Sequence, residues 1–272
     1  AADLVALSQL PRVVALAEFM NVPGAVLGLP GALEKLEAFA GRVVDGHAPG
    51  VTGKWLQAYV AAGPGSDHEA TSAEEMLEKL RAGMRIFVRE ATGAKNLRAL
   101  VPAITLHNSR RCAFATDDRH PGDLLDEGHV DHLVRLAVEH GLDAITALQM
   151  ATLHAAEAFR LYDRGAVGPG KRADLVVFSN LKEFRAEMVF AGGWLVARDG
   201  HPVGDWQAPA VDDHALRQTV RVDWERLDLA VPAPGSGRRK ARVIGIIPDQ
   251  IVTEQCVEEL PVVDGAATAV PE

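Results

Sequence analysis

From residue 13 to about residue 158, short apolar runs alternate with stretches whose apolar residues recur at helical spacing. Val13–Ala17, Arg42–Asp45, Gly65–Asp67, Met84–Val88 and Ala113–Thr116 read as strands. Between and after them, Ala32–Phe39, Gly53–Ala61, a segment capped by Thr71 or Ser72 and running through Arg81, Ala94–Val101, Asp123–His140 and Asp143–Phe159 read as helices. Glu74 and Glu75 in the first turn of the third of these helices suit the positive end of its dipole. Five strand–helix units with short loops predict an α/β fold with a parallel sheet, and favour a partial (β/α)8 barrel over a doubly wound sheet.

After residue 160 the pattern changes. Ala173–Phe178, Met188–Ala191 and Trp194–Val196 are short strands separated by glycine turns, which predicts a small β domain. A linker rich in Pro, Gly and Ser at 232–237 precedes further β-like runs at Val243–Ile247 and Gln250–Glu254. The expected division is residues 1–159 as barrel, 160–205 as small β domain, and 206–272 as linker and start of a C-terminal β-containing domain. The chain opens Ala1-Ala2-Asp3 and meets a strand almost at once, while its end is rich in Pro and Ala, so it reads as an interior piece of a longer protein.

Charge narrows the partners. The formal net charge of -9 argues against a nucleic-acid backbone or an anionic membrane surface. The one basic cluster, Arg238-Arg239-Lys240, follows the linker and reads as its solvated edge. Cys112 and Cys256 are too few for a disulfide framework, and no basic leader or long uncharged apolar run is present, so a reducing cytoplasmic setting is expected.

The chemistry sits where the strands end. Glu18 follows the first, His47 the second, His68 the third, and Asp117-Asp118 the fifth. Singly, each has an ordinary explanation: a hydrogen-bonded turn histidine, or a carboxylate capping a helix. Their recurrence at one place in successive units has no such explanation, because a barrel brings the C-terminal ends of its strands to one mouth. Two imidazoles with carboxylates form a mixed nitrogen and oxygen set suited to divalent zinc, manganese or iron. His120 follows the aspartate pair and is a candidate substrate contact; His129 is ambiguous, and His107, His132, His140, His201 and His214 read as surface residues. Gly168-Pro-Gly-Lys171 lacks the spacing of a phosphate loop.

The blocks Ala17-Glu-Phe-Met-Asn-Val-Pro-Gly24, Asp45-Gly-His-Ala-Pro-Gly50, Ser66-Asp-His-Glu69, Ala94-Lys-Asn-Leu97 and Thr116-Asp-Asp-Arg-His-Pro121 resemble the active-site blocks of the bacterial adenine deaminase branch of the amidohydrolases. Met150-Ala-Thr-Leu153, Gly165 and Ala173-Asp-Leu-Val-Val177 resemble that superfamily's re-entry into a small β domain. The resemblance implies hydrolytic deamination of adenine to hypoxanthine and ammonia, a purine substrate, a binuclear metal site and a homodimer. It also implies roles: Glu18 bridging two metals, His47 and His68 as further ligands, Asp117 as ligand and proton shuttle, and Asp118 or His120 against the purine. Two other readings are another amidohydrolase activity, on a cyclic amide or a different base, and a non-catalytic α/β protein. The His-x-His pair that the first barrel strand carries in the family has no counterpart before His47. His154 stands where Asn is commoner in the family, and this chain by itself is expected to be inactive.

Overall fold

The computed structural model describes residues 2–207, 210, 214–219 and 221–269. Residues 208–209, 211–213, 220 and 270–272 of the expected C-terminal region lie outside the described residues. Two compact units are present: one comprises residues up to Gly204 with Pro248–Ile251, the other Asp205–Ile247 with Val252–Glu272.

In the first unit a helix, α1 (Ala2–Ser8), precedes the first strand, so the apolar start of the chain is helical rather than extended. Its Ala and Leu content explains that outcome. The strands β1 (Ala15–Phe19), β2 (Val43–Gly46), β3 (Ser66–Asp67), β4 (Arg85–Arg89) and β5 (Cys112–Ala115) form one sheet in the order of the sequence, and every pairing is parallel. Parallel neighbours require long crossovers. These are supplied by α2 (Val22–Val26) with α3 (Pro30–Ala38), then α4 (Gly53–Ala62), α5 (Ala73–Arg81) and α6 (Leu97–Leu100). After β5 come α7 (Pro121–Asp126), α8 (Val130–Glu139), α9 (Ala144–Ala151) and α10 (Leu153–Ala158).

Local chemistry accounts for the helix ends. Ser72 Oγ accepts the Glu75 N–H at 3.3 Å and starts α5, and Asp143 Oδ2 accepts the Thr146 N–H at 2.9 Å and starts α9. The single helix expected over Asp123–His140 is instead α7 and α8, broken where Gly128 takes φ +115°. Asp123 accordingly lies inside α7, which opens with Pro121 in its first turn. The helix expected over Asp143–Phe159 likewise divides at Thr152, whose φ of -128° and ψ of -83° are not helical.

Two clusters form the core. Leu16, Phe19, Leu36, Val44, Leu56 and Tyr59 join α3 and α4 to β1 and β2. Ile86, Val88, Leu97, Leu133, Ala147 and Met150 join α6, α8 and α9 to the β4–β5 side. The small antiparallel sheet, β6 (Leu175–Phe178), β7 (Ala186–Ala191), β8 (Trp194–Arg198) and β9 (His201–Pro202), reaches this second cluster through the buried Phe184, which meets Phe178 edge-on at 5.7 Å. Gly192 and Gly193 both have positive φ, as the tight β7–β8 turn demands.

The second unit is a four-stranded antiparallel sheet of β10 (Val231–Pro232), β11 (Gly237–Ile246), β12 (Thr253–Val263) and β13 (Ala266–Ala267). The β11–β12 ladder runs from Gly237 opposite Val262 to Ile246 opposite Thr253. Arg238, Arg239 and Lys240 are exposed residues of β11, not the edge of a linker. Among the described residues no helix is long and apolar enough to cross a membrane.

Candidate metal centre at the strand ends

Each polar residue singled out by the strand-end pattern is delivered by the end of a strand or the turn after it. Glu18 lies near the end of β1, His47 follows β2, His68 follows β3, and Asp117 lies two residues beyond β5. Glu18 Oε2 is 2.7 Å from His68 Nε2 and 3.2 Å from His47 Nδ1. The two imidazoles meet edge to face with centroids 5.5 Å apart. Asp117 Oδ2 lies 3.6 Å from His68 Nε2. Asp117 is also one of the few non-glycine residues with positive φ, at 46°, a conformation that turns its side chain under local backbone strain.

Three further groups complete the cluster, none of them among the sequence candidates. Glu69, almost fully buried, places Oε1 3.2 Å from His68 Nε2 and 3.5 Å from His47 Nδ1. Asp45 Oδ2 faces His68 Nδ1 at 3.3 Å, while its Oδ1 accepts the Ser66 hydroxyl at 2.6 Å. Arg89, at the end of β4, pairs with Glu69, with Asp117 at 3.0 Å and with Asp118 at 2.8 Å. Asp45 was detectable, because it stands two residues before His47 and residues two apart share a face of a strand. Arg89 ends β4, the one strand of the five whose end supplies no candidate from the sequence. Glu69 directly follows His68, and nothing in a period-two pattern would aim both at one point.

The titration behaviour follows from this packing. Burial alone would lower the His68 pKa, but hydrogen bonding to Asp45 and Glu69 and their charges raise it to about 10. Burial opposes ionisation of Glu69, yet His68 and Arg89 outweigh it and hold the carboxyl below its usual range. Burial opposes ionisation of Asp118 too, but hydrogen bonding and charge from Arg89, with backbone N–H groups, together hold its carboxyl below the usual range.

Two trios have ligand atoms within 4.8 Å of one another: Glu18, His47 and His68, and then His68, Glu69 and Asp117. Asp118 belongs to neither. His120 is exposed at the start of α7; its backbone N–H donates to Thr92 Oγ1, and it belongs to neither trio. His129 Nε2 lies 3.0 Å from Thr116 Oγ1 and belongs to neither trio, and His154 is buried with Nδ1 lacking a hydrogen-bond partner.

The donor set fits a divalent cation. It mixes imidazole nitrogen with carboxylate oxygen, and Glu69 Oε2 is buried without a hydrogen-bond partner. Asp45 behind His68 Nδ1 is the outer carboxylate that commonly orients a metal-binding histidine. A cavity of about 430 Å³ adjoins the cluster, with Glu18, Asp45, His68 and Asp117 on its polar side and Phe87, Phe114 and Phe159 among its apolar walls.

Known proteins share both the sequence and the fold. The chain is 48% identical to adenine deaminase 2 of Carboxydothermus hydrogenoformans over 94% of this chain and 44% of that one. It is 45% identical to the adenine deaminase of Desulfatibacillum aliphaticivorans over 99% of this chain and 47% of that one. The chain thus spans less than half the length of these relatives. Among solved structures, the β-aspartyl dipeptidase of Fervidobacterium islandicum AW-1 superposes with a TM-score of 0.54 at 16% identity, covering 71% of this chain and 59% of that one; this likeness concerns the fold. The amidohydrolase family model matches residues 31–196. That match takes in β2 through β7 and the turns bearing His47, His68 and Asp117, so the chain belongs to the amidohydrolase family.

Proposed function

We propose that the strand-end cluster is the metal centre of a hydrolase that deaminates adenine to hypoxanthine and ammonia, as in purine salvage. The observation that carries this reading is the convergence of Glu18, His47, His68, Glu69 and Asp117 into two trios that share His68. The adenine deaminase relatives, at 45–48% identity, support adenine as the substrate.

Glu18, His47, His68, Glu69 and Asp117 would hold the metal, Glu18 lying between the two imidazoles and Glu69 and Asp117 beside His68. A divalent pair of Mn, Fe or Zn would supply Lewis acidity and lower the pKa of water. The chain's own residues do the rest. Asp117, a third exposed and on the cavity wall, can take a proton from water and return it to the ring nitrogen or the departing amine. Arg89 holds Asp117 and Asp118 in place from behind. Asp118 and His120 are the proposed purine contacts on the open side. The full protein is read as a cytoplasmic homodimer acting on a small molecule, with residues 1–159 as its barrel portion, 160–205 as its small β domain and 206–272 beginning its C-terminal domain.

The test is ammonia release by metal-loaded protein spanning the full length of the relatives, comparing adenine with guanine, cytosine and a hydantoin. Adenine should be preferred, and Asp117→Asn should lower kcat by about a hundredfold or more. Protein without stoichiometric divalent metal, or preference for the hydantoin, would overturn the assignment.

A further inference from the structure

Lys79, in the last turns of α5, is completely buried, and so is its partner Asp67. A charge so placed is very unfavourable unless every donor is satisfied. Here all three ammonium hydrogens have acceptors: the Ala48 carbonyl at 2.6 Å, Asp67 Oδ2 at 2.8 Å and Glu75 Oε1 at 2.6 Å.

The acceptors are themselves tied to the site. Asp67 Oδ1 accepts the Ala48 N–H at 2.8 Å, and its Oδ2 accepts the Glu69 N–H at 3.1 Å. Glu75 Oε1 accepts the Gly50 N–H at 2.8 Å, and Oε2 accepts the Thr71 N–H at 3.1 Å. Ala48 is the residue after His47, Asp67 the residue before His68, and Glu69 the residue after it. One ammonium therefore fastens the 46–50 turn and the 66–70 turn to the same helix, and those two turns carry three of the cluster's five ligand candidates. Lys79, Asp67 and Glu75 make no ion pair with any of those five side chains.

We infer that Lys79 is a positioning residue of this site: with Asp67 it sets the spacing of His47 against His68 and Glu69 by clamping the backbone from which all three hang. A core of ordinary apolar packing would hold α5 on the sheet equally well, but it would not bond to the Ala48, Gly50 and Glu69 backbone groups. The inference rests on the proposed metal reading only in taking His47, His68 and Glu69 as ligands.

The experiment uses protein spanning the full length of the relatives, numbered as in this chain, with three changes: Lys79→Met, the charge-balanced pair Lys79→Met with Asp67→Asn, and Leu133→Ala as a buried control in α8. Amide hydrogen exchange is followed in the metal-free proteins, and Mn²⁺ affinity by titration calorimetry. Exchange in 46–50 and 66–70 should quicken by about tenfold or more for both Lys79 variants, and not for Leu133→Ala, whose loosening belongs to α8 and α9. Mn²⁺ affinity should fall about tenfold to a hundredfold for the Lys79 variants and stay unchanged for the control. Unaltered exchange in both turns, or a Lys79 variant binding Mn²⁺ as tightly as the parent, overturns the inference. So does failure of both Lys79 variants to fold, which would make the pair a requirement for folding and not for spacing. If the full-length parent protein binds no Mn²⁺, the metal reading falls, and Lys79 is still judged by exchange in the two turns.

Discussion

At the scale of single residues, His68 is the group on which the cluster turns, because both trios use its imidazole. Its pKa is raised from 6.5 to about 10 in the folded chain. A raised value means that protonation of His68 favours the metal-free fold fully below about pH 6.5, and that this contribution is lost as pH rises through about 10. A metal needs the neutral ring, so cation and proton compete. Mn²⁺ affinity should then climb with pH across that window, by about tenfold per unit for one displaced proton. Calorimetry in buffers of different ionisation enthalpy should detect that proton; binding with no proton release would contradict the arrangement. Asp45→Asn, which removes the carboxylate behind Nδ1, should flatten the pH dependence. The cysteines give an independent check on packing. Cys112 is buried, and burial pushes its thiol up to about 12. A thiolate-seeking reagent at neutral pH should therefore label the half-buried Cys256 in the native chain and spare Cys112, as peptide mass mapping would show.

At the scale of elements, the strand ends are held by groups that apolar patterning does not encode. Tyr59, fully buried on α4, donates its hydroxyl to the Phe19 carbonyl at 2.5 Å and accepts the His47 N–H at 3.2 Å. It links the end of β1 to the turn after β2. Tyr59→Phe would strand both backbone groups and should destabilise the chain by about 1–3 kcal/mol, read from the urea midpoint. A change within about 0.5 kcal/mol would mean that neither bond matters. Gly46 explains itself at the same spot, since a Cβ there would lie 2.6 Å from the Ser66 carbonyl and 2.7 Å from the Tyr59 hydroxyl. The strand–helix alternation, the small antiparallel sheet and four of the ligand candidates were legible in the sequence, because period and strand-end position are local signals. The break at Gly128 was missed although it is local: the glycine lies just past the end of α7 at φ +115°, where a Cβ would also meet Asp131 and Arg135. The role of Glu69 or Arg89 was not legible, because it depends on how neighbouring turns meet across the sheet rather than on spacing within one.

At the scale of the whole molecule, the sheet decides what the chain can do by itself. Parallel sheets are ordinarily covered on both faces, and closure into a barrel removes their edges. Among the described residues no strand pairs with the outer edge of β1 or of β5. The cavity beside the cluster of ligand candidates opens on this sheet and is walled in part by Phe87 from β4, Phe114 from β5 and Phe159 just past α10. The ligand candidates come from the ends of β1, β2, β3 and β5, and Glu18, His47 and Asp117 remain a quarter to a third exposed, so the cluster is open to solvent. A cation held from one side keeps much of its hydration, and a substrate on the open side is not fixed in the orientation that makes hydrolysis fast. We therefore expect the 272-residue chain, supplied with Mn²⁺, to bind metal weakly and to release no ammonia from adenine above a protein-free blank. Protein of the relatives' full length, assayed beside it, should turn adenine over. Sustained turnover by the shorter chain would show that five strands and these ligands suffice, and that the open edges of β1 and β5 have no bearing on catalysis.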